Sequence, residues 1–278
     1  MLRIGPSGNS KSFYDEGHAH TYEEAEWLHA KGLNAFEYSF GRGVSLSDGT
    51  ATKIREAFSR YDIEISAHAP YYTNFANPDP EMIEKSVMYI RQSIEAIKRM
   101  GGNRVVFHPA SCGKSPRPEA VARAKDNIAA MMSALQGEFL LAAETMGKLA
   151  QIGTVEEIID FCTVDDRLIP CYDFGHINSY MRGGLKTKDD YRRIIELTFE
   201  KLGDFKTRNM HIHFSKIMYG ASGEIKHLTF ADDKFGPEYL PLAELIDEYG
   251  LTPYVVCESD GTMAEDALFM KNCHKKVY

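Results

Sequence analysis

The sequence predicts an α/β protein of the (β/α)₈ barrel class, and three observations support this. Eight short apolar runs rich in β-branched and aromatic residues alternate with segments of helical periodicity. Eight such alternations in 278 residues match a closed barrel better than an open doubly wound sheet. Imidazole and carboxylate side chains follow six of the runs. We therefore predict one barrel domain over residues 1–278, with a metal site at the carboxyl ends of its strands.

The first four predicted strands are separated by segments with the periodicity of helices. In chain order they are RIGPSG (3–8), NAFEYSF (34–40), IEISAHAP (63–70) and RVVFHPAS (104–111). Each is short and mostly apolar, as expected of a buried strand. Residues 22–31 and 80–100 are predicted to form helices among these strands.

The second half of the chain repeats this alternation. Its predicted strands are FLLAAET (139–145), LIPCYDFGH (168–176), MHIHFSK (210–216) and PYVVCESD (253–260). Helical periodicity appears in residues 118–136, 155–162 and 189–202. The alternation therefore extends along the whole chain.

Six potential metal ligands close these apolar runs, at intervals of about 30 to 50 residues. They are His68, His108, Glu144, Asp173, His211 and Glu258. Residues at the carboxyl ends of barrel strands converge on one rim. Six ligands exceed one tetrahedral shell, so a carboxylate that bridges two ions is the economical arrangement. Glu144, in the middle of the series, is the natural bridge.

Each of these residues also has an ordinary structural interpretation. A single histidine after a strand is commonly a hydrogen-bonded structural residue, and Asp173 or Glu258 could cap the following helix. Their shared position after predicted strands favours the metal site.

The composition limits the class of protein. Hydrophobic residues make up 44% of the chain and charged residues 26%, as in an ordinary globular enzyme, and no apolar run approaches the roughly 20 residues of a membrane helix. The N-terminus has no signal-peptide core, and the five cysteines are scattered, which favours reduced thiols. We expect a monomeric cytoplasmic protein without a membrane partner. A net charge of −8 argues against coating nucleic acid through global electrostatics, although a local basic groove remains compatible.

Several of the runs carry a family resemblance in order and spacing. They are SAHAPYYTN (66–74), VFHPAS (106–111), AETMGK (143–148), CYDFGHINSY (171–180), MHIHFSK (210–216) and CESD (257–260). Together they resemble the motifs of the endonuclease IV family of apurinic/apyrimidinic endonucleases. The superfamily to which the endonuclease IV family belongs also contains xylose-isomerase-like sugar isomerases and epimerases.

The resemblance implies two to three divalent ions, with zinc expected and manganese or iron as alternatives. One zinc would be held by His68, His108 and Glu144, and a second by Glu144, Asp173, His211 and Glu258. We interpret His213 as a hydrogen-bonded rim residue; the alternatives are an auxiliary ligand or a donor to a ligand.

A third zinc in this family is held by the histidine that matches His176 and by an Asp-x-His pair. The segment GEIKHLTF (223–230) supplies His227, but the aspartate position is Ile225, which cannot bind metal. The adjacent Glu224 is a candidate replacement. The alternatives are a water ligand or a weak or empty third site, and we predict substoichiometric occupancy.

The implied activity is that of a zinc-dependent phosphodiesterase. It would hydrolyse the phosphodiester 5′ to an abasic site in double-stranded DNA during repair and leave a 3′-hydroxyl. Glu144 and Glu258 are the predicted catalytic residues, with Glu258 orienting or deprotonating the water. Tyr71 and Asn74 match family positions that contact DNA, and Arg42 could contribute in the same way.

Two other functions remain open from the sequence. A sugar isomerase or epimerase would also hold a metal at the barrel mouth and use two carboxylates for proton transfer. The histidines His68 and His108 argue against it, because an isomerase with one ion has less need of them. An inactive metal-binding barrel with a binding role is the second alternative, and crowded carboxylates without a use argue against it.

Overall fold

Eight parallel strands form a nearly closed barrel in the computed structural model, which describes residues 1–274. The strands are β1 (Arg3–Pro6), β2 (Ala35–Ser39), β3 (Glu64–His68), β4 (Arg104–Phe107), β5 (Leu140–Glu144), β6 (Leu168–Asp173), β7 (His211–Phe214) and β8 (Tyr254–Cys257). Each pairs in parallel with its chain neighbour from β2 to β8, and β8 also pairs with β1.

The barrel closes between β1 and β2 through a narrow seam. A single parallel bridge joins Ser7 to Glu37, and the amide of Gly8 donates to the Glu37 carbonyl at 2.9 Å. A Cβ atom on Gly5 would lie 1.7 Å from the carbonyl oxygen of Ala35. Glycine is therefore required at position 5 for the first two strands to approach each other.

Ten α-helices cover the strands or connect them in the described part of the chain. They are α1 (Lys11–Asp15), α2 (Glu24–Ala30), α3 (Asp48–Arg60), α4 (Pro80–Arg99), α5 (Arg117–Ala134), α6 (Val155–Phe161), α7 (Phe174–Tyr180), α8 (Lys188–Arg208), α9 (Leu240–Tyr249) and α10 (Met263–Asn272). A short 3₁₀ turn, Thr21–Glu23, precedes α2. A large apolar core fills the space between helices and strands.

All eight predicted strands are confirmed, each shorter than its apolar run, and so are the five predicted helices. The periodicity that ended at residue 202 has a structural cause. Gly203 has φ 76° and ψ −174°, which interrupts α8 before a last segment to Arg208. The described helices include none long and apolar enough to span a membrane. None of the five cysteines forms a disulfide in the described chain.

Two short antiparallel pairs lie outside the barrel sheet. Lys216–Gly220 pairs with Gly223–Leu228 to form a hairpin after β7, and Ala110–Ser111 pairs with Gln151–Ile152. We call the first pair the β7 hairpin. The β7 hairpin places residues 223–228, which are distant in sequence from β3 to β5, at the mouth of the barrel.

Candidate metal centre

The carboxyl ends of the strands deliver most of the predicted ligands to one place. His68, Glu144 and Asp173 are the last residues of β3, β5 and β6. His108 comes directly after β4, and Glu258 directly after β8. The five side chains are at most one fifth exposed.

Glu144 is the centre of the arrangement because its two oxygens face different groups of ligands. Oε2 lies 3.0 Å from His68 Nε2 and 3.1 Å from His108 Nε2. Oε1 lies 3.1 Å from His213 Nδ1. His68 is oriented from behind, since its Nδ1–H donates to the Ala69 carbonyl at 2.7 Å and leaves Nε2 for the site.

The second group contains Glu144, Asp173, His213 and Glu258, whose ligand atoms lie within 4.8 Å of one another. Asp173 has a double role. Its Oδ1 caps α7 by accepting the amide of His176 at 2.8 Å. Its Oδ2 is buried without a hydrogen-bond partner in the described structure and lies 3.3 Å from His176 Nδ1. A buried carboxylate oxygen in this state is costly, so the donor set fits a divalent cation.

The prediction that His211 belongs to this group is wrong in the structure, which places His213 there instead. His211 is the first residue of β7 rather than its end. Both histidines face the barrel interior because strand residues two apart share a face. His211 therefore lies one layer deeper, where its Nε2 is 3.2 Å from Glu37 Oε2 and its ring stacks on Tyr254.

A third group combines His176, Glu224 and His227. His176 Nε2 lies 3.3 Å from Glu224 Oε2, and His227 Nε2 lies 4.0 Å from Glu224 Oε1. Ile225 is 59% exposed. Glu224, one residue before the isoleucine, thus lies beside both histidines.

Two glycines allow the β7 hairpin to reach this position. A Cβ on Gly147 would lie 2.8 Å from Glu224 Cβ and 2.9 Å from His176 Cδ2. Gly223 has φ +96°, and a Cβ there would lie 2.2 Å from the Gly147 carbonyl oxygen. The amide of Glu224 donates to that same oxygen at 3.0 Å.

The electrostatics of the centre favour a cation. Burial alone would lower the pKa of His176, but Asp173, Glu144 and Glu224 outweigh it and raise this pKa to about 9. Burial would likewise raise the pKa of Glu144, yet His213 and His108 hold it well below the usual range. Three acidic groups around one imidazole create the negative potential that a divalent ion would neutralise.

Glu258 differs from Glu144 in its protonation equilibrium. Burial raises its pKa above the ordinary value, although His213 and His227 oppose the shift. Its Oε2 lies 3.5 Å from His213 Nδ1 and 4.0 Å from His227 Nδ1. The side chain also lines a cavity of about 500 Å³ that opens at the mouth of the barrel. Glu258 is therefore the carboxylate of the second group with direct access to that cavity.

Tyr71 stands over the first group at the rim. It is 48% exposed, its ring stacks against His108 at a centroid distance of 5.4 Å, and its hydroxyl is 2.9 Å from Ser39 Oγ. The exposed Arg42 is on the neighbouring loop, whose Gly41 carbonyl accepts the Tyr71 amide. The ring is thus held in one orientation.

Asn74 has a structural role that the sequence did not indicate. Its Oδ1 accepts the amides of Ala76 and Ser111, both at 3.1 Å. The side chain ties the loop after β3 to the loop after β4. A contact between Asn74 and DNA stays a prediction.

Glu37 is the site residue that the sequence analysis missed. It is fully buried in the middle of β2, and its Oε1 lies 3.0 Å from His213 Nε2. A charged residue inside the apolar run NAFEYSF was the available signal, because ionised side chains are almost never fully buried unless they have partners.

Comparisons with known proteins identify the superfamily of the chain. A model of the family described as xylose isomerase-like TIM barrel matches residues 25–273. An uncharacterized protein of Methanocaldococcus jannaschii is 30% identical over 100% of this chain and 98% of its own length. A protein named "Probable endonuclease 4" from Staphylococcus epidermidis is 26% identical over 71% of this chain and 69% of its own.

Solved structures share the fold. Endonuclease IV from Thermus thermophilus superposes with a TM-score of 0.65 at 19% identity, covering 89% of this chain and 90% of that one. A D-psicose 3-epimerase crystallised with D-fructose gives a TM-score of 0.64 at 14% identity, covering 96% and 89%. At these identities the likeness extends to the barrel alone.

Proposed function

This chain belongs to the xylose isomerase-like TIM barrel family, and we propose that it is a metal-dependent endonuclease that cleaves DNA 5′ to an abasic site. The observation that carries the proposal is the position of Glu144, whose two carboxylate oxygens face two separate ligand groups. The name of the endonuclease 4 relative supports the choice of reaction.

Three groups of residues would hold the ions. The first is His68, His108 and Glu144; the second is Glu144, Asp173, His213 and Glu258; the third is His176, Glu224 and His227. Nitrogen and carboxylate donors of this kind suit zinc, and manganese or iron as alternatives. When bound, such ions polarise a phosphoryl oxygen and neutralise the charge that develops during phosphodiester hydrolysis.

Glu258 is suited to orient the attacking water and to accept its proton. It faces the cavity, where a carboxylate oxygen that holds no ion can accept a hydrogen bond from water. Glu144 has the complementary role. It stays ionised between the histidines and fixes their positions.

The rim supplies the contacts that an extruded nucleotide would need. A nucleotide must leave the base stack to reach a buried site, and an aromatic side chain can fill the space it leaves. Tyr71 is exposed at the rim of the barrel mouth, and Arg42 lies on the adjacent loop. We assign both to the DNA-binding surface.

The experiment that tests this proposal is cleavage of a labelled duplex with one synthetic abasic site. We expect incision 5′ to the lesion that a chelator abolishes and that added zinc restores. An intact duplex of the same sequence is the control and should stay uncut. No incision by protein with all its ions bound would reject the endonuclease.

A sugar epimerase is the second candidate, and the cavity favours it. Its volume of about 500 Å³ suits a small molecule, and Ser7, Ser259 and Asp260 offer polar groups for sugar hydroxyls. The two early histidines at Glu144 Oε2 favour the endonuclease, because a single ion in the second group would suffice for proton transfer between carbons. Incubation with ketohexoses under the same metal conditions separates the two.

A further inference from the structure

Glu37 is a buried carboxylate beneath the second ligand group, and neither the family resemblance nor the comparisons give it a role. It comes from β2, a strand that supplies no direct ligand to the three groups. Its side chain is fully buried. A carboxylate in a dry barrel interior costs several kcal/mol unless charged or polar partners compensate.

Those partners fix the carboxylate in one orientation. The Ser66 hydroxyl donates to Oε2 at 3.0 Å, and His211 Nε2 lies 3.2 Å from the same oxygen. The other oxygen, Oε1, lies 3.0 Å from His213 Nε2, a close polar contact that lacks the angles of a hydrogen bond. The opposite nitrogen of that ring, Nδ1, faces Glu144 Oε1 at 3.1 Å. One imidazole thus connects the buried carboxylate to the ligand group.

His213 differs from neighbouring histidines in the charge of the nearest group behind its ring. His68, His176 and His227 each have an uncharged oxygen nearest to Nδ1, respectively Ala69 O, Thr145 O and Ser215 Oγ. Carboxylate oxygens lie farther away, at 3.3 Å from Nδ1 of His176 and 4.0 Å from Nδ1 of His227. His213 instead presents Nε2 to a carboxylate. A neutral imidazole has one N–H, so a carboxylate at Nε2 selects the tautomer whose Nδ1 has a free lone pair. A negatively charged partner also makes the imidazole a stronger electron donor.

We propose that Glu37 is a positioning residue that fixes His213 with Nδ1 toward Glu144, Asp173 and Glu258 and strengthens the binding of the ion these residues would hold. His211 and Ser66 hold Glu37 in turn, which explains a second histidine in β7. The inference rests on the metal centre of the proposed function and is independent of the substrate.

The test is a zinc titration of the metal-free protein in competition with a chromophoric chelator, without DNA. We expect Glu37→Gln to weaken the binding of one zinc ion by roughly 10- to 100-fold and to leave the affinities for the other ions unchanged. The matched control is Glu64→Gln, on the next strand, where the exposed carboxylate pairs with Arg3 outside the barrel. It should bind zinc as the unmodified protein does.

A purely structural role would give a different result. In that case Glu37→Gln would lower the thermal midpoint of the metal-free protein and weaken all the ions together, or change no affinity. Either result overturns the inference. If Glu37→Gln does not fold, Glu37→Asp keeps the charge but withdraws it from His213 by one methylene, and the same selective weakening is expected; its absence contradicts the proposal.

The outcome is separable from that of the nuclease assay. Selective loss of one ion together with no incision by the unmodified protein would reject the endonuclease and keep the role of Glu37. Incision by the unmodified protein together with unchanged zinc affinities in the Glu37 variant would support the endonuclease and reject the role of Glu37.

Discussion

Glu144 connects three histidines of the centre, since His68, His108 and His213 all lie within 3.1 Å of its carboxylate. Glu144→Gln keeps the shape of the side chain and removes the negative charge that would attract an ion to each of its two oxygens. We expect incision of the abasic duplex to fall by roughly 100-fold or more and the zinc content to drop. Glu138→Gln, at an exposed position just before β5, is the control and should keep full activity. Full activity of the Glu144 variant would contradict a shared carboxylate.

Tyr71 and Tyr72 offer a matched pair at the rim. Both are exposed, but the structure stacks only Tyr71 on His108 among the described residues. We expect Tyr71→Ala to lower kcat/KM for the abasic duplex by roughly 10-fold or more, the loss expected for one base–aromatic contact, with zinc content unchanged. Tyr72→Ala should have a much smaller effect. Equal losses in the two variants would argue against a specific role for Tyr71.

Glu24, the first residue of α2, gives a prediction about stability. It is fully buried, and neither carboxylate oxygen has a hydrogen-bond partner in the described chain. Burial, with a smaller contribution from Glu265, raises its pKa to about 8 from an ordinary value of 4.5. The folded state therefore keeps a proton that the unfolded state releases between pH 4.5 and 8, so this group makes stability fall as pH rises through that window.

Glu24→Gln removes the titration and should remove that fall. The unfolding free energy of the unmodified protein should drop relative to the variant by a few kcal/mol between about pH 5 and pH 8, at about 1.4 kcal/mol per unit of pKa shift. Urea unfolding at both values measures the difference. Parallel pH profiles for the two proteins would show that the carboxyl does not titrate in this window.

Single residues also mark the limit of what the sequence could predict. The choice between His211 and His213 depends on where β7 begins. Moving two residues along a strand keeps the side chain on the same face but changes its depth in the barrel. The apolar run at residues 210–216 contains both and does not fix that start. Glu37 could be suspected from its place in an apolar run, but its partner His213 is 176 residues away in sequence and only the closed barrel brings them together.

The strands themselves were predictable. Each is buried on both faces, so it reads as a continuous apolar run, and ligand-type residues follow several of them directly. The β7 hairpin could not be predicted from the sequence, because it is a partly exposed antiparallel pair whose position depends on the loop after β5. Its approach to Gly147 places Glu224 beside His176 and His227.

Gly147 therefore gives a prediction for this element. A methyl group there would collide with Glu224 Cβ and His176 Cδ2, so Gly147→Ala should move the β7 hairpin outward. We expect the zinc held by the third group to be lost while the ions at Glu144 remain. Gly49→Ala, in α3 with open space around it, is the control and should leave the zinc content unchanged. An unchanged third ion in the Gly147 variant would show that Glu224 is not needed.

At the scale of the whole molecule, the parallel barrel explains why six strand ends and one hairpin can meet. The candidate ligands come from residue 68 to residue 258, so their arrangement exists only in the folded chain. Ions that bind the folded state and not the unfolded one stabilise the fold by about 1.4 kcal/mol for each tenfold excess of free ion over Kd. We expect a chelator to lower the thermal midpoint, and to lower it less in Glu144→Gln. Equal shifts in the two proteins would place the stabilising ions elsewhere.

The central claim is that two ions flank Glu144, and anomalous diffraction from crystals grown with zinc tests it most directly. The account predicts two peaks about 3.5–4 Å apart, one on each side of the Glu144 carboxylate, and a third among His176, Glu224 and His227. One peak alone, among Glu144, Asp173, His213 and Glu258, would contradict the shared carboxylate and favour the single-ion epimerase.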